Sequence, residues 1–292
     1  MTGRCVTVLA TGPLTTVQDL GRPGRGALGV GRSGAADRGA AALANRLLGN
    51  DPDAALLEVT LGGLALRAGA DLTVVTTGAR CPGSVAHNAP RPLPAGTELR
   101  LGPPPTGLRT YVGLRGGIEV APVLGSRSTD LLSGLGPPVV AVGDVLPVGT
   151  AREPMPAADL APLSDPPGDE VSVRVRPGPR QDWFADDAWT ALTTQPWTVT
   201  AESNRVGLRL SGGEPLRRAR EGELPSEGML RGALQVPPSG LPVLFLADAP
   251  VTGGYPVIGY VDEADVDRCA QLQPGQPLRL VHRAVRAASS AS

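Results

Sequence analysis

The sequence predicts a mainly β protein with a few short helices, and two features of its composition support that prediction. The 292 residues include 39 glycines and 31 prolines, which favours many short strands joined by turns. Several segments also alternate apolar and polar residues, as half-buried strands do. Apolar residues make up 41% of the chain and aromatic residues only 3%, so we expect a core of valine, leucine, alanine and isoleucine.

Ten segments have the composition of strands. The pattern is clearest in VSVRVRPG, where valine takes every second position and serine or arginine lies between. Such alternation places one set of side chains in a core and the other in solvent. We predict strands over residues 5–10, 64–69, 71–78, 97–102, 109–116, 171–178, 198–204, 233–238, 242–248 and 277–282.

Helical signals are few. In DRGAAALANRLLGND, Asp37 is placed to cap the amino end of a helix, alanines and leucines recur at helical spacing, and Gly49 follows the last of them. Residues 180–194 and 262–272 have weaker helical patterns. We therefore expect helices to be minor elements on a β framework.

Two observations bear on domain organisation. A glycine precedes a strand-like segment in 94–102, 142–149 and 274–282; this favours a duplicated β-barrel plan, although three ordinary glycine turns explain it equally well. A segment rich in proline, alanine and acidic residues follows, with the little periodicity that is typical of a linker. We predict a first β-barrel subdomain over 1–150, a linker over 151–169, a second barrel subdomain over 170–285 and a tail over 286–292.

Charge and residue types exclude several kinds of function. The 27 basic residues are all arginine, since no lysine occurs, and 28 acidic residues bring the net charge to -1. This balance gives no basis for binding nucleic acid or an anionic membrane, and the lack of lysine excludes Schiff bases and the P-loop lysine. With no signal-like amino terminus and no apolar run near 20 residues, we expect a cytoplasmic protein.

Histidine and cysteine are scarce. The two histidines, His87 and His282, do not stand in the context of a nucleophile, so a Ser-His-Asp or Cys-His site is not predicted. Three distant cysteines predict neither a disulfide framework nor a metal clamp. Any chemistry would use carboxylates, arginines, amides and hydroxyls, which suit the binding of a carboxylate, an amide or a phosphorylated intermediate.

The segment TTVQDLGRPGRGALGVGRSGAAD, residues 15–37, combines glycine with arginine and aspartate and has too few apolar residues for a core element. It fits G-x-G-x-x-G only formally, because no clear strand immediately precedes GRGALG. Its glycines would permit close approach of the backbone. For Asp37, helix capping and a binding role both remain open. The polar residues expected to line a surface here are Gln18, Asp19, Arg22, Arg32, Ser33 and Asp37.

Three later stretches present polar side chains at strand ends or turns. DAPVTGGYPVIGYV contains a sharp Gly-Gly-Tyr-Pro turn after an apolar strand, QVPPSG lies beside that strand, and SNRVGLRLSG marks a strand-to-turn junction. A half-buried anchoring role is the alternative to direct binding for the tyrosine. The polar residues at these points are Asn204, Arg205, Gln235, Ser239, Thr252 and Tyr255.

Eight segments in a fixed order resemble one known family. They are TTVQDLGRPG, GVGRSGAADRGAAALANRLLGN, ALLEVTLGG, RTYVGLRGGIEVAPVLGSRSTDLL, VRVRPGPRQDWF, SNRVGLRLSG, GALQVPPSGLPVLFLAD and TGGYPVIGYV. The series is similar to the biotin-dependent carboxyltransferase (KipA-like) family over about residues 5–282. That family includes the C subunit of bacterial 5-oxoprolinase, often called allophanate hydrolase subunit 2, and the carboxyltransferase part of urea carboxylase.

The resemblance implies two cyclophilin-like β-barrel subdomains with a cleft between them. It also implies one component of a hydrolase that opens 5-oxo-L-proline to L-glutamate with ATP, together with B and A subunits that are KipI-like and LamB-like, respectively. Because the lactam is stable, its oxygen would be phosphorylated before water attacks. ATP would be bound by this chain or by a partner protein, and a chain without lysine carries no covalently attached biotin.

The resemblance further suggests roles for the polar residues. Asp37 would be a catalytic general base or water-positioning group, and Arg205 would hold an anion. The alternatives are a helix cap for Asp37 and a solvated or strand-pinning arginine for Arg205. No metal site is implied. One wall of the cleft would carry Arg22, Ser33 and Asp37, and the other would carry Asn204, Arg205, Gln235, Ser239, Thr252 and Tyr255.

The chain departs from the family pattern beside GGYP. Many relatives have Gln-Thr-Thr before this motif and often a lysine just after it, whereas this chain has Pro250, Val251 and Val257 in that neighbourhood. If those family residues contact substrate, activity or specificity differs here. Two further functions remain open: a biotin-dependent urea-type carboxyltransferase, and a KipI–KipA pair that regulates a kinase by binding without turnover.

Overall fold

The computed structural model describes residues 3–83, 86–222 and 224–282. Within those residues it contains eighteen strands and three α-helices, which confirms the mainly β class. The predicted tail, 286–292, lies outside the described residues. None of the described helices is both long and apolar enough to span a bilayer.

The first nine strands build two antiparallel sheets around one apolar core. One sheet has the strand order β7-β4-β1-β9 and the other β2-β3-β8-β5-β6. Valine and leucine side chains from both sheets form the shared core, among them Val8, Leu66 and Val112. The strands are β1 Cys5–Thr11, β2 Leu14–Gln18, β3 Leu56–Thr60, β4 Leu64–Ala68, β5 Leu72–Gly78, β6 Arg91–Leu93, β7 Glu98–Arg100, β8 Arg109–Leu114 and β9 Val145–Pro147.

The remaining strands build a closed barrel. Seven of them follow the order β10-β17-β14-β15-β12-β11-β18, and parallel pairing of β10 with β18 closes the ring. Closure leaves no free sheet edge in the barrel. Strands β13 and β16 form a separate two-stranded sheet. The strands are β10 Val171–Pro177, β11 Trp197–Val199, β12 Gly207–Ser211, β13 Glu227–Gly228, β14 Ala233–Gln235, β15 Val243–Phe245, β16 Thr252–Gly253, β17 Val257–Val261 and β18 Pro277–His282.

Three helices cover these sheets: α1 Arg38–Leu48, α2 Ala188–Thr194 and α3 Glu263–Cys269. The first is as predicted, because Asp37 accepts a hydrogen bond from the backbone N–H of Ala40 and Gly49 ends the helix in the left-handed conformation. Helix α2 is shorter than its predicted segment. There, residues 181–183 form a 3-10 turn and Phe184 becomes extended to pair with Arg218.

Three strands that the composition did not indicate have few exposed residues, although β2 lies at the edge of its sheet. β3 has four successive buried residues, and β2 and β17 are likewise buried on both faces for most of their length. Such strands show no alternation of apolar and polar residues. The expectation that residues 15–37 contain no core element is therefore wrong for residues 15–18: they belong to β2, which pairs with β3 along its whole length.

The two halves have separate cores. One apolar cluster draws only on residues between Val6 and Val148, and another only on residues between Val171 and Leu280. The segment predicted as a linker, 151–169, contains no helix or strand, and Ala161 in it donates to the carbonyl oxygen of Asn88. The division into domains at these positions stays a prediction.

Candidate functional site

The glycine-rich segment that follows β2 folds back on itself. The backbone N–H of Arg22 donates to the carbonyl oxygen of Arg32 at 2.8 Å, so the two ends of the segment lie side by side. Gly34 makes this contact possible: its φ is +90°, and a Cβ there would lie 2.8 Å from the backbone nitrogen of Gly21. Residues 23–31 form the loop between these ends, and they face the second half of the chain.

A cleft of about 460 Å³ separates this loop from the barrel. Its apolar lining includes Met229, Leu246 and Val266. Its charged lining is almost entirely positive, with Glu263 as the one carboxylate among the described residues that line it. This arginine cleft carries the guanidinium groups of Arg22, Arg25, Arg32, Arg38, Arg176 and Arg231.

Three of these arginines carry a buried donor that has no hydrogen-bond acceptor among the described residues. They are Nη1 of Arg22, Nε of Arg38 and Nε of Arg231. Buried donors without partners are rare in folded proteins, because each costs the free energy of its lost hydration. Their convergence on one cleft indicates a site for a group that supplies oxygen acceptors and negative charge.

Arg22 is held rigidly at the wall of the cleft. It is 2% exposed, and its Nη2 donates to the carbonyl oxygen of Ser128 at 2.6 Å. Its Nη1 is 3.9 Å from the carboxylate of Asp130, which is too far for a hydrogen bond. The backbone around Ser128 is in turn fixed by Asp19, which accepts from the hydroxyls of Ser126 and Ser128. One donor of Arg22 thus remains available to a ligand.

Positive charge is crowded at the amino end of α1. Burial lowers the pKa of Arg38 to about 10, and repulsion from Arg231 and Arg32 adds to this effect. Arg231 is anchored by the carbonyl oxygen of Ala36 at 2.7 Å and by the carboxylate of Asp267 at 2.5 Å. In the empty cleft these buried positive charges therefore repel one another, and a bound anion would relieve that repulsion.

Behind the cleft, Arg205 joins the two halves of the molecule. It is 1% exposed and forms paired 2.9 Å hydrogen bonds to the carboxylate of Asp248. Its Nη1 bonds to Glu58 of β3, and its Nη2 also donates to the carbonyl oxygen of Gly34 at 2.7 Å. Four donor positions are thus occupied by protein groups, which favours the strand-pinning alternative. The role of anion holder stays a prediction.

Glu58 is the centre of this buried network. Burial by itself would raise the pKa of its carboxyl group, but the charges of Arg205 and Arg109 outweigh burial and hold that pKa below its usual value. The carboxylate also accepts from the hydroxyl of Tyr111 and the backbone N–H of Ala36, both at 2.9 Å. Asp248 accepts from Ser33 at 2.7 Å. Ser33 therefore lies in the network behind the cleft.

Asp37 lines a different cavity, of about 330 Å³, together with Ala40 and Leu43 of α1. Its Oδ1 accepts from the backbone N–H of Ala40 at 2.9 Å and its Oδ2 from Nε2 of Gln271 at 2.7 Å. Burial raises the pKa of Asp37 from 3.8 to about 6. It therefore caps the helix as predicted, and its catalytic role stays a prediction.

The raised pKa gives a stability prediction for Asp37→Asn. The folded protein retains the Asp37 proton up to a higher pH than the unfolded chain does, so wild type loses stability as pH rises from 3.8 through 6. The asparagine variant does not titrate there. Between pH 4.5 and 7.5 its free energy of unfolding should gain about 2 kcal/mol relative to wild type. Urea unfolding at both pH values measures this gain, and a difference independent of pH would contradict it.

Of the predicted site residues in the second half, three lie near one another, and Asn204 and Ser239 each lie in a turn elsewhere. Gln235 donates to the carbonyl oxygen of Tyr255 at 3.0 Å, which places both beside Thr252 of β16. The Tyr255 ring is 44% exposed and lies against Arg218, 5.8 Å from its guanidinium carbon. Asn204 instead accepts from the backbone N–H of Val206 in a turn.

Ser239 likewise lies in a turn, where its hydroxyl accepts a hydrogen bond from the backbone N–H of Leu241 at 3.4 Å. Of the nine site residues predicted from the sequence, Arg22 alone lines the arginine cleft. The others lie behind it, beside it or in the second cavity. Their roles in binding stay predictions.

Comparison with known proteins identifies the family. Residues 28–282 match the model of the carboxyltransferase domain, subdomain A and B. The chain belongs to this family. It is 40% identical to the 5-oxoprolinase C subunit of Escherichia coli, over 94% of this chain and 90% of that protein. It is 31% identical to the 5-oxoprolinase C subunit of Haemophilus influenzae, over 90% and 86% of the two chains.

A solved structure shares the fold of this carboxyltransferase-domain protein. The K. lactis urea amidolyase superposes with a TM-score of 0.87 at 29% sequence identity. The match covers 97% of this chain and 19% of the amidolyase chain. The carboxyltransferase-domain chain thus corresponds to one part of a much longer protein in that case.

Of the three positions expected to differ from the family pattern, two line the cleft and the third packs against Met229, which also lines it. Pro250 and Val251 line it. Val257 is 2% exposed and packs in a cluster with Met229 and Phe245. The wall beside GGYP is therefore apolar here, and the positive charge of the cleft comes from arginines.

Sequence reasoning missed most of the arginines that line the cleft. Arg25 and Arg38 lie in or next to the glycine-rich segment, so the density of arginine there was a usable signal. Arg176 and Arg231 come from the barrel, in β10 and in the turn before β14. No local pattern marks them, because only the fold brings them to the same cleft.

Proposed function

We propose that this chain is the C subunit of a 5-oxoprolinase complex and that the arginine cleft binds the acidic substrate. The relation to two proteins of that name over nearly their whole length supports the first part. The convergence of three unpartnered guanidinium donors on one cleft, among the described residues, supports the site. The substrate would be 5-oxo-L-proline, a cyclic amide that carries a carboxylate.

The chemistry of lactam opening gives the arginines a role. An amide carbonyl resists attack by water, so coupling to ATP hydrolysis would transfer a phosphoryl group to the lactam oxygen. Water would then add to the lactam carbon, and the C–N bond would break with the amine as leaving group, which gives an acyl phosphate. A second water would hydrolyse this acyl phosphate to glutamate and phosphate. Both the substrate carboxylate and the phosphoryl group are anions that guanidinium groups bind with paired N–H donors.

Within this scheme Arg22 would position the anion and Arg38 and Arg231 would neutralise its charge. Arg22 is fixed by Ser128 and has one donor free among the described residues. The other two line the same cleft, each with a buried donor that has no acceptor among the described residues. Guanidiniums placed before the charge develops stabilise it without reorganisation of the site.

The complex would include a KipI-like protein as its B subunit, with a LamB-like protein as its A subunit, and ATP would be bound by one of the three chains. This chain contains no lysine, so an ATP site of the P-loop type is not available in it. The arginine cleft fits a phosphate or carboxylate group rather than requiring a whole nucleotide. No metal or biotin is assigned to this chain.

The likeness to K. lactis urea amidolyase favours a second candidate, a urea-type carboxyltransferase. In that case biotin would arrive on another chain, and its carboxyl group would enter the cleft. The identity to that structure is lower, and the match covers a smaller part of it, than for the E. coli protein. A third candidate, regulatory binding by a KipI–KipA pair, predicts a complex that consumes no ATP.

Reconstitution tests the proposal. The chain is purified together with a KipI-like and a LamB-like protein of the same organism, and 5-oxoproline-dependent release of ADP and glutamate is measured. We expect both products, in about equal amounts, and neither when this chain is omitted. A stable complex that releases no glutamate would overturn the proposal. Carboxylation of urea with a biotin carboxylase would then indicate the second candidate, and binding without ATP use the third.

A further inference from the structure

The cavity that contains Asp37 is separate from the arginine cleft and has the opposite charge. It lies between α1, the segment 163–167 and α3. The carboxylates of Asp37, Asp165 and Asp267 line it, against a single guanidinium among the described lining residues, that of Arg268. Its apolar walls include Leu43, Leu163 and Leu272.

Two buried side chains that line this cavity and carry acceptor oxygens, those of Asn88 and Asp37, have no cationic partner among the described residues. Asn88 is 4% exposed, and its Oδ1 is buried without any hydrogen-bond donor among the described residues. Asp37 accepts only from the neutral N–H groups of Ala40 and Gln271, and within residues 3–83, 86–222 and 224–282 no cationic group forms an ion pair with it. A buried carboxylate and a buried amide oxygen both favour an N–H donor that carries positive charge.

The other two carboxylates of the cavity already have cationic partners. Asp165 is bound by Arg80 through two contacts of 3.0 Å, and Asp267 by Arg231 at 2.5 Å. The unused acceptor capacity is therefore concentrated at Asp37 and Asn88. No group of three or more acidic, histidine or cysteine residues in the described parts of the chain is arranged to hold a metal ion, which favours an organic cation.

We propose that this cavity binds a small primary ammonium compound, with its head group at Asp37 and Asn88 and its alkyl part against Leu43, Leu163 and Leu272. An ammonium group has three N–H donors and can bond to more than one oxygen acceptor at once. The volume, about 330 Å³, is at the lower end of the range for small-molecule sites. This inference is independent of the function proposed for the arginine cleft.

Binding should weaken in acid. Since burial raises the pKa of Asp37 to about 6, protonation below that pH removes the negative charge that attracts the ammonium head. Several other charged or titratable groups surround this carboxylate, and none of them is changed in the variants used to test the site. They are Asp165, Asp267, Arg268, Arg231, Arg38 and Tyr111.

The test uses the full chain and n-butylammonium as probe, followed by NMR shift changes and calorimetry at pH 7.5 and 5.0. Tetramethylammonium, which has the charge but no N–H donor, is the matched control ligand at the same ionic strength. We expect butylammonium to bind at pH 7.5, at least about tenfold more weakly at pH 5.0, and in clear preference to tetramethylammonium. No binding, or equal binding of both cations, would overturn the proposal.

Variants locate the site. Asp37→Asn keeps the shape of the side chain, and Asn88→Gly suits the positive φ of 52° at that position. Each should weaken binding by about tenfold or more, whereas Glu263→Gln, on the rim of the arginine cleft, should leave it unchanged. Thermal unfolding confirms that each variant is folded. If Asn88→Gly does not fold, the affinity of Asp37→Asn alone tests the location of the site. Retained affinity in Asp37→Asn contradicts the assignment.

Discussion

Replacement of Arg205 by methionine should lower the free energy of unfolding by about 3–5 kcal/mol, because it leaves the buried carboxylate of Asp248 without its cation and that of Glu58 with only Arg109, 3.5 Å away. Glu58 and Asp248 are each 1% exposed, and both bond to the Arg205 guanidinium. Methionine fills much of the volume but supplies no charge and no donor. Urea unfolding at pH 7.5, followed by circular dichroism, measures the loss.

A matched control separates burial from the mere loss of an ion pair. Arg279 forms a similar two-contact pair with Glu170, at 3.0 and 3.2 Å, but on the surface. Arg279→Met should therefore cost no more than about 1 kcal/mol. If the two arginine variants lost equal stability, the buried network would not be the joint between the halves that its geometry indicates.

A compensated variant tests the cause. In the triple variant of Arg205→Met, Glu58→Gln and Asp248→Asn, the carboxylates are replaced by neutral amides, whose oxygens still accept from Tyr111 and Ser33. We expect this variant to regain at least half of the stability lost in Arg205→Met, because the main cost is a buried unpaired charge. A triple variant as unstable as the single one would indicate instead that the guanidinium acts through its contacts with Gly34.

Local signals in the sequence were sufficient for some elements and not for others. Helix α1 was predictable because its cap at Asp37, its apolar stripe and its stop at Gly49 all lie within one short segment. Strand β10 was predictable because only one of its faces is buried, which leaves an alternating pattern. Strand β3 has no such pattern, since the core covers one of its faces and helix α1 packs over the other.

The site was less predictable than the fold for a related reason. Arg22 could be found because glycine and arginine are dense around it. Arg205 also drew attention, but its partner Glu58 is 147 residues away in the chain, and nothing near either residue shows that the two meet in a buried network. Asp37 and Arg22 were expected on one wall, but they line two different cavities, and no local pattern in the sequence shows this.

Arg38→Gln should weaken the binding of substrate without weakening the fold. Its Nε has no acceptor among the described residues, its Nη1 is 3.7 Å from the exposed Glu263, and repulsion from Arg231 and Arg32 contributes to its lowered pKa. Removing this charge relieves repulsion in the empty protein but removes a donor from the bound anion. In the reconstituted complex the KM for 5-oxoproline should rise about 10-fold to 100-fold.

The same variant distinguishes a binding group from a structural one. Its melting temperature should equal or slightly exceed that of wild type, and Arg100→Gln, which removes an exposed arginine paired with Glu98 outside the cleft, should leave the KM unchanged. An unchanged KM together with a lower melting temperature would make Arg38 a structural residue. Weaker binding together with retained stability is expected only at a site whose positive charges repel one another until an anion binds. Replacement of an arginine with a structural role would instead lower both the melting temperature and the affinity for substrate.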